Sequence, residues 1–308
     1  MDGVLNVNKH SGPTSHDIVE RVRRATREKR VGHAGTLDPA ASGVLLVCLG
    51  SATRITQYLM DLPKSYRAEA VFGVETDTED ATGSVIREDD CSHLTPDMVV
   101  EVLPRFTGEI MQVPPMVSAV RHGGRRLYEL ARAGRVVERA PRPVVVYFLH
   151  LVEFQAGPRP KAVLDVQCSR GTYVRTLCAD LGRDLGCGGH MASLVRTAVG
   201  AFRIEDAVPI EAVEERAARG TLAEVLHSLD EALEGMPSVS VSAEDAARVA
   251  NGMLLPGSQL AGSLPPADTL VRVRGPGDRL LAIGKVCSRP DGTTVLKPEK
   301  VFASIYGA

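Results

Sequence analysis

Apolar and polar positions along the chain alternate in some stretches and recur at helical spacing in others, and the two periods divide it into elements. Val4-Leu5-Asn6-Val7 alternates like a short strand, and Lys9-His10-Ser11-Gly12-Pro13-Thr14 follows as a turn. Ser15 then stands where a helix cap belongs, ahead of Ile18, Val19, Val22 and Ala25 at helical spacing, with Arg21, Arg23, Arg24 and Arg27 on the other side. Val44-Leu45-Leu46-Val47-Cys48-Leu49 does not alternate; its length and β-branching predict a buried strand. A short helix is expected over 52–59 and an alternating strand over 64–72, while residues 75–92, acidic and turn-rich, read as a surface excursion. Thr95-Pro96 opens a helix to about Leu103.

Two prolines exclude Pro114-Pro115-Met116-Val117-Ser118-Ala119 from a central strand and make it a shaped loop. The Gly- and Arg-rich segment behind it leads into a short helix, Leu127 to Ala133, closed by Gly134. Residues 144–149 and 162–168 are strands by β-branching and alternation. Thr172 is placed to cap a helix with Val174, Leu177, Cys178, Leu181 and Leu185 on one stripe, ending at Gly186. Acidic, alanine-rich helices fill 210–233. The character shifts at Met236-Pro237-Ser238, after which a capped helix (Ser242 to Ala250) precedes strands near 270–274, 280–286 and 293–296. A boundary near residue 238 therefore divides a large domain, 1–238, from a small one, 239–308.

The chain has 308 residues, 44% hydrophobic and 24% charged, which suits a globular protein with one large or two unequal domains. No apolar run approaches the roughly 20 residues of a membrane span, and no signal pattern opens the sequence, so a cytoplasmic location is expected. The six cysteines form no C-x-x-C pair and have no histidine at ligand spacing, which argues against a zinc site. The net charge of −2 hides a strong segregation. Residues 20–30 carry six basic against two acidic side chains and residues 118–142 seven Arg against two Glu, whereas 201–250 hold four Arg against eleven acids. Basic segments beside an acidic one fit an anion-binding face with a solvated back.

The stretch with the most chemical character is Gly32-His33-Ala34-Gly35-Thr36-Leu37-Asp38-Pro39-Ala40-Ala41-Ser42-Gly43, a single carboxylate among glycines ahead of the buried strand. Pro39 biases Asp38 away from helical angles and glycine permits close approach of another molecule. Taken alone, the string leaves Asp38 open as a turn former or as a presented catalytic carboxylate. Arg175 near a helix start is mildly opposed by the macrodipole, which suggests an anionic partner for it.

Taken together, these segments resemble the TruB family, the tRNA pseudouridine synthases that act on the T loop. Lys9-x-x-Gly12-x-Thr14-Ser15 is similar to the family's N-terminal signature, residues 32–43 to its catalytic loop, and Lys64-Ser65-Tyr66 to its lysine-x-tyrosine motif. Pro114-Pro115-x-x-Ser118-Ala119 through Gly134 resembles its basic RNA-facing segment, Cys168 to Leu177 its arginine motif, and Leu194-x-Arg196-x-x-x-Gly200-x-Phe202 its leucine-arginine motif. Residues 281–284 and 296–302 resemble a PUA RNA-binding domain. His10 departs from the family's usual proline.

The resemblance implies an α+β pseudouridine synthase fold, a mixed and mainly antiparallel sheet flanked by helices with the active site in a cleft across it, and a small C-terminal β-barrel-like PUA domain. It implies Asp38, Tyr66 and Arg175 as catalytic: the carboxylate at the sugar, the ring on which the flipped base lies, and the cation that opposes protonation of a partly dry carboxylate. Lys9, His33, Lys64, Leu194, Arg121, Arg125, Arg126 and Arg196 are implied as substrate or RNA contacts. No cofactor or metal is implied, because the isomerisation exchanges no electrons and loses no group. The expected partner is tRNA, through its T arm and acceptor stem, with no guide RNA and with the chain acting as a monomer. An RNA-binding protein without catalysis and a nucleosidase are the rival classes; the second would need an acid partner that the loop does not supply.

Overall fold

The computed structural model describes residues 1–118, 120–260 and 264–302. Ala119 of the shaped loop and residues 261–263 and 303–308 of the C-terminal region lie outside them. In chain order the first part comprises β1 (Gly3–Lys9), α1 (Ser15–Thr26), β2 (Val31–His33), β3 (Ser42–Leu49), α2 (Thr56–Asp61), β4 (Lys64–Phe72), β5 (Val74–Thr76), β6 (Val85–Glu88), α3 (Pro96–Val102) and β7 (Gly108–Gln112). Then follow β8 (Arg121–His122), β9 (Arg125–Arg126), α4 (Leu127–Arg132), β10 (Arg142–Gln155), β11 (Lys161–Cys168), α5 (Val174–Asp184), β12 (Gly189–Val199) and α6 (Ile210–Arg219).

One large sheet runs β1-β3-β12-β4-β11-β10-β7, with β2 beside β3 and the pair Val208–Pro209 on the outer edge of β1. Its ladders are antiparallel except at β1 with 208–209 and at β3 with β12. The mixed, mainly antiparallel α+β architecture is therefore observed. Strand β3 explains its own sequence: Leu45, Val47 and Leu49 pack under α1 and α6, while Val44, Leu46 and Cys48 pack on the other face against 52–59 and residues of the C-terminal sheet. A strand buried on both faces has no reason to alternate. At the other half, α3 and α5 cover the β4, β11 and β12 face through Phe72, Leu164, Val166, Leu177 and Leu181.

A second, five-stranded sheet is built from 238–240, 255–256, 270–274, 280–288 and 294–301. Arg272 on this sheet is buried and donates to the carbonyls of Asp230, Glu234 and Met236, so it staples the chain on either side of residue 238.

Several local expectations are corrected, some by contacts far apart in the chain. Thr14, not Ser15, caps α1: its hydroxyl accepts from the Asp17 amide at 3.1 Å. Ser15 is instead buried, donating to the Leu37 carbonyl at 3.0 Å and accepting from the Leu37 amide at 2.8 Å, so it ties the helix start to the Asp38 loop. Thr172 does not cap α5 either; its hydroxyl donates to the Ser169 carbonyl. The start of α5 is held by the buried Gln112 side chain, which accepts from the Tyr173 amide at 2.7 Å and donates to the Tyr173 carbonyl at 3.0 Å. Between 210 and 233 the α-helices are α6 and 229–232, with a 3-10 turn at Leu222–Val225 between them. The arginine face of α1 is partly paired: Arg21 makes a bidentate contact with Glu214 and a further one with Glu211 on α6, and Arg23 pairs with Glu20.

Candidate active site

The loop from Ala34 to Ala41 joins β2 to β3 and crosses the end of β12. The crossing depends on Gly43, whose φ of +102° belongs to the glycine region and whose missing side chain leaves room for the Arg196 carbonyl oxygen. Leu37 and Ala41 anchor the loop inward, and between them the Asp38 side chain stays 41% exposed, facing a pocket of about 300 Å³. Tyr66, Met191, Leu194, Arg175 and Arg196 line the same pocket. The sheet register accounts for this, since Tyr66 on β4 lies opposite Arg196 on β12, with Leu194 two positions along.

Arg175, the second residue of α5, is 4% exposed, an expensive position for a cation at a helix start. Two carboxylates offset the cost. Its Nη2 lies 3.1 Å from Asp38 and also donates to the Val117 carbonyl at 2.9 Å, while its Nη1 donates to Asp80 at 3.4 Å. Asp80 comes from the 75–92 segment, so that segment is not simply a surface excursion. Asp80 is 9% exposed, its Oδ1 accepts from the Thr78 hydroxyl at 2.8 Å and the Thr82 amide at 2.9 Å, and the flanking backbone bonds to Met191 of β12. Sequence reasoning missed it because Asp80 is one of several acids in a turn-rich stretch; the Thr-x-Asp-x-Thr spacing that makes its turn was the available signal.

Three cations expected to meet RNA are buried and bonded to backbone carbonyls, and two of them, Lys64 and Arg196, border the pocket. Lys9 donates to Ala41 at 2.6 Å, His10 at 3.1 Å and Pro39 at 3.2 Å. Arg196, 1% exposed, donates through Nε to Val44 at 2.6 Å, through Nη2 to Gly35 at 3.1 Å and through Nη1 to Thr36 at 3.3 Å. The two brace the Asp38 loop on either flank, and Lys9 has no free face for a phosphate. Lys64 donates to Met60 and Leu62 at the end of α2. Burial, with a smaller push from Arg196, lowers the Lys64 ammonium to about 8.

His33 on β2 does not line the pocket. Burial, followed by Arg196, holds its imidazole below the ordinary value, which favours the neutral ring. Burial likewise pushes the Tyr66 phenol up against the opposing effect of Arg196, so a neutral phenol faces the pocket at neutral pH. Arg121, Arg125 and Arg126 are exposed on the β8–β9 hairpin, whose Gly123 and Gly124, at φ of +55° and +82°, form the tight two-residue turn that projects them.

The Lys64 shift carries a pH prediction. Between about pH 8 and 10.5 the unfolded chain holds a proton on Lys64 that the folded protein has released, so this residue makes stability rise with pH there. Below about pH 8 its burial cost applies in full. Urea denaturation of wild type and Lys64→Met across pH 7–11 should show wild type gaining on the variant as pH rises, and parallel curves would contradict the assignment.

Comparison with known proteins places this geometry. Residues 23–174 match the TruB family pseudouridylate synthase (N terminal domain), and residues 175–234 match the tRNA pseudouridylate synthase B C-terminal domain. The chain is 53% identical to tRNA pseudouridine synthase B of Symbiobacterium thermophilum, over 82% of this chain and 83% of that protein. It is 44% identical to the protein of the same name from Pelotomaculum thermopropionicum, over 94% and 93%. Among solved structures, a Cbf5-Nop10-Gar1 complex contains a chain that superposes with a TM-score of 0.76 at 28% identity, covering 97% of this chain and 84% of that one. An H/ACA RNP bound to a substrate RNA containing 2'-deoxyuridine matches with a TM-score of 0.75 at 26% identity, over 97% and 84%. The chain belongs to the TruB family of pseudouridylate synthases.

Proposed function

We propose that the chain isomerises uridine 55 in the tRNA T loop to pseudouridine, with Asp38 as the group that acts at the glycosidic bond. Family membership makes it an isomerase of uridine in tRNA. The observation that carries the residue assignment is the 3.1 Å pairing of Asp38 with a buried Arg175 at the wall of a pocket otherwise faced by Tyr66 and Leu194. A stacked T-loop base is out of reach, so the target is flipped into that pocket. There the Tyr66 ring and Leu194 give its faces apolar surface, worth roughly 1–3 kcal/mol for an aromatic stack. Asp38, fixed by Lys9, Arg196 and Ser15 through its loop and by Arg175 directly, meets the sugar edge of the nucleotide.

The reaction balances within the substrate. The N1–C1′ bond breaks, the uracil turns, a C5–C1′ bond forms, and the C5 proton leaves as N1 gains one. Asp38 stabilises the separated base and sugar, either by transient covalent attachment or as a base. A transcript labelled with tritium at uridine C5 tests this chemistry: the label passes to water while the base stays in the RNA. Release of free uracil would support a nucleosidase instead.

RNA is held mainly through phosphate. The exposed Arg121, Arg125 and Arg126 position the T arm, and the C-terminal sheet, as a PUA-like unit from about residue 239, lies along the acceptor stem. The chain works as a cytoplasmic monomer without a guide RNA; among the described residues no helix is long and apolar enough to cross a membrane. Arg125→Ala with Arg126→Ala should weaken tRNA binding and lower the slope of log affinity against log salt by roughly one for each phosphate no longer neutralised. A titration series from low to high salt measures both, and an unchanged slope would remove the hairpin from the interface.

A further inference from the structure

Ser118 lines the same pocket and takes no part in the chemistry described so far. It is 5% exposed, and its hydroxyl makes no hydrogen bond among the described residues. The carbonyl before it, on Val117, accepts from the Arg175 nitrogen that also reaches Asp38, so the backbone at 117–118 is tied to the Asp38–Arg175 corner. Arg175 supplies a second such atom, since its Nε is likewise buried and unpaired among the described residues.

Buried polar atoms in folded proteins are nearly always hydrogen-bonded, and an exception calls for a reason. Here two exceptions belong to residues that line one pocket, beside the carboxylate, while Tyr66, Met191 and Leu194 offer apolar surface. We propose that Ser118 is a substrate-contacting residue whose hydroxyl hydrogen-bonds an oxygen of the flipped nucleotide next to its glycosidic bond. The inference rests on the uridine-isomerase reading. A hydroxyl both donates and accepts, so a nucleotide oxygen able to accept from it is a fitting partner. The 2′-hydroxyl of the ribose and the O2 carbonyl of uracil both flank the bond and have that chemistry.

The test compares wild type with Ser118→Ala under single-turnover conditions on an unmodified tRNA transcript, together with thermal unfolding and tRNA binding of both proteins. The expected result is about a tenfold slower conversion by the variant, the scale of a single hydrogen bond. Its Tm and tRNA affinity should match wild type, because the hydroxyl has no hydrogen-bond partner among the described residues to give up and phosphate interactions dominate binding. A transcript with 2′-deoxyuridine at position 55 separates the two oxygens: the Ser118→Ala deficit vanishes if the ribose is the partner and persists if the base is. Conversion within twofold of wild type on the ribose substrate would overturn the proposal, as would a lowered Tm, which marks a structural role. Absence of pseudouridine with wild type itself would strike the underlying reading instead.

Discussion

Asp38→Asn is expected to reduce pseudouridine formation at least about a thousandfold, the equivalent of roughly 4 kcal/mol of barrier at ~1.4 kcal/mol per factor of ten. The substitution keeps the shape of the side chain while removing the charge that acts at the sugar. Only the Arg175 contact at the loop depends on that charge, and Arg175 keeps Asp80 and the Val117 carbonyl; Lys9 and Arg196 bond to backbone carbonyls, and Ser15 grips the backbone of Leu37. Folding and tRNA affinity should therefore stay near wild type. A filter-binding titration beside the activity assay checks this, and an active Asp38→Asn protein would exclude the carboxylate from the chemistry.

Arg175→Met is expected to lose both activity and stability. The guanidinium lies between Asp38 and Asp80, and Asp80 is the deeply buried member. Removing one partner of a buried pair leaves an uncompensated charge, at a cost of about 3–5 kcal/mol. For a chain of this size that lowers Tm by roughly 10 °C. A second variant separates the two losses: Asp80→Asn added to Arg175→Met removes the stranded charge and should recover much of the Tm. It should leave conversion impaired, because Asp38 still lacks its partner. Recovery of activity along with stability would mean that Arg175 serves the fold alone.

The elements that proved easy to read in the sequence are those fixed by their own composition. The uninterrupted apolar run of β3, the glycine at the Asp38 loop and the alternation of β4 each express a local requirement, and these bring Asp38 and Tyr66 to one place, whereas Leu194 reaches it on β12, a strand not read from the sequence. What could not be read is the direction in which a charge points. Lys9, Lys64 and Arg196 look in sequence like cations for RNA, yet each turns inward because the loop and the end of α2 carry carbonyls with no strand or helix partner. Burying those carbonyls unpaired would cost more than burying a well-bonded cation.

The same limit applies to partners far apart in the chain. Gln112 caps α5 from 61 positions away, and Arg21 meets Glu214 across 193, so neither the true cap nor the pairing of Arg21 has a local signature. Asp80 is the clearest case. Its turn chemistry is visible in the threonines around it, but its functional position follows only from the bonding of 79–81 to Met191. The arginines of the β8–β9 hairpin are exposed on a Gly-Gly turn, and the only acid in the adjoining helix, Glu129, accepts from the Arg126 backbone amide.

Position-resolved pseudouridine mapping of a complete, unmodified tRNA transcript after incubation with wild-type protein tests the central claim most directly. The account predicts one new pseudouridine, at T-loop position 55, with the rest of the uridines unchanged. A transcript that is bound but unmodified at that position, or modified elsewhere with position 55 intact, would contradict it.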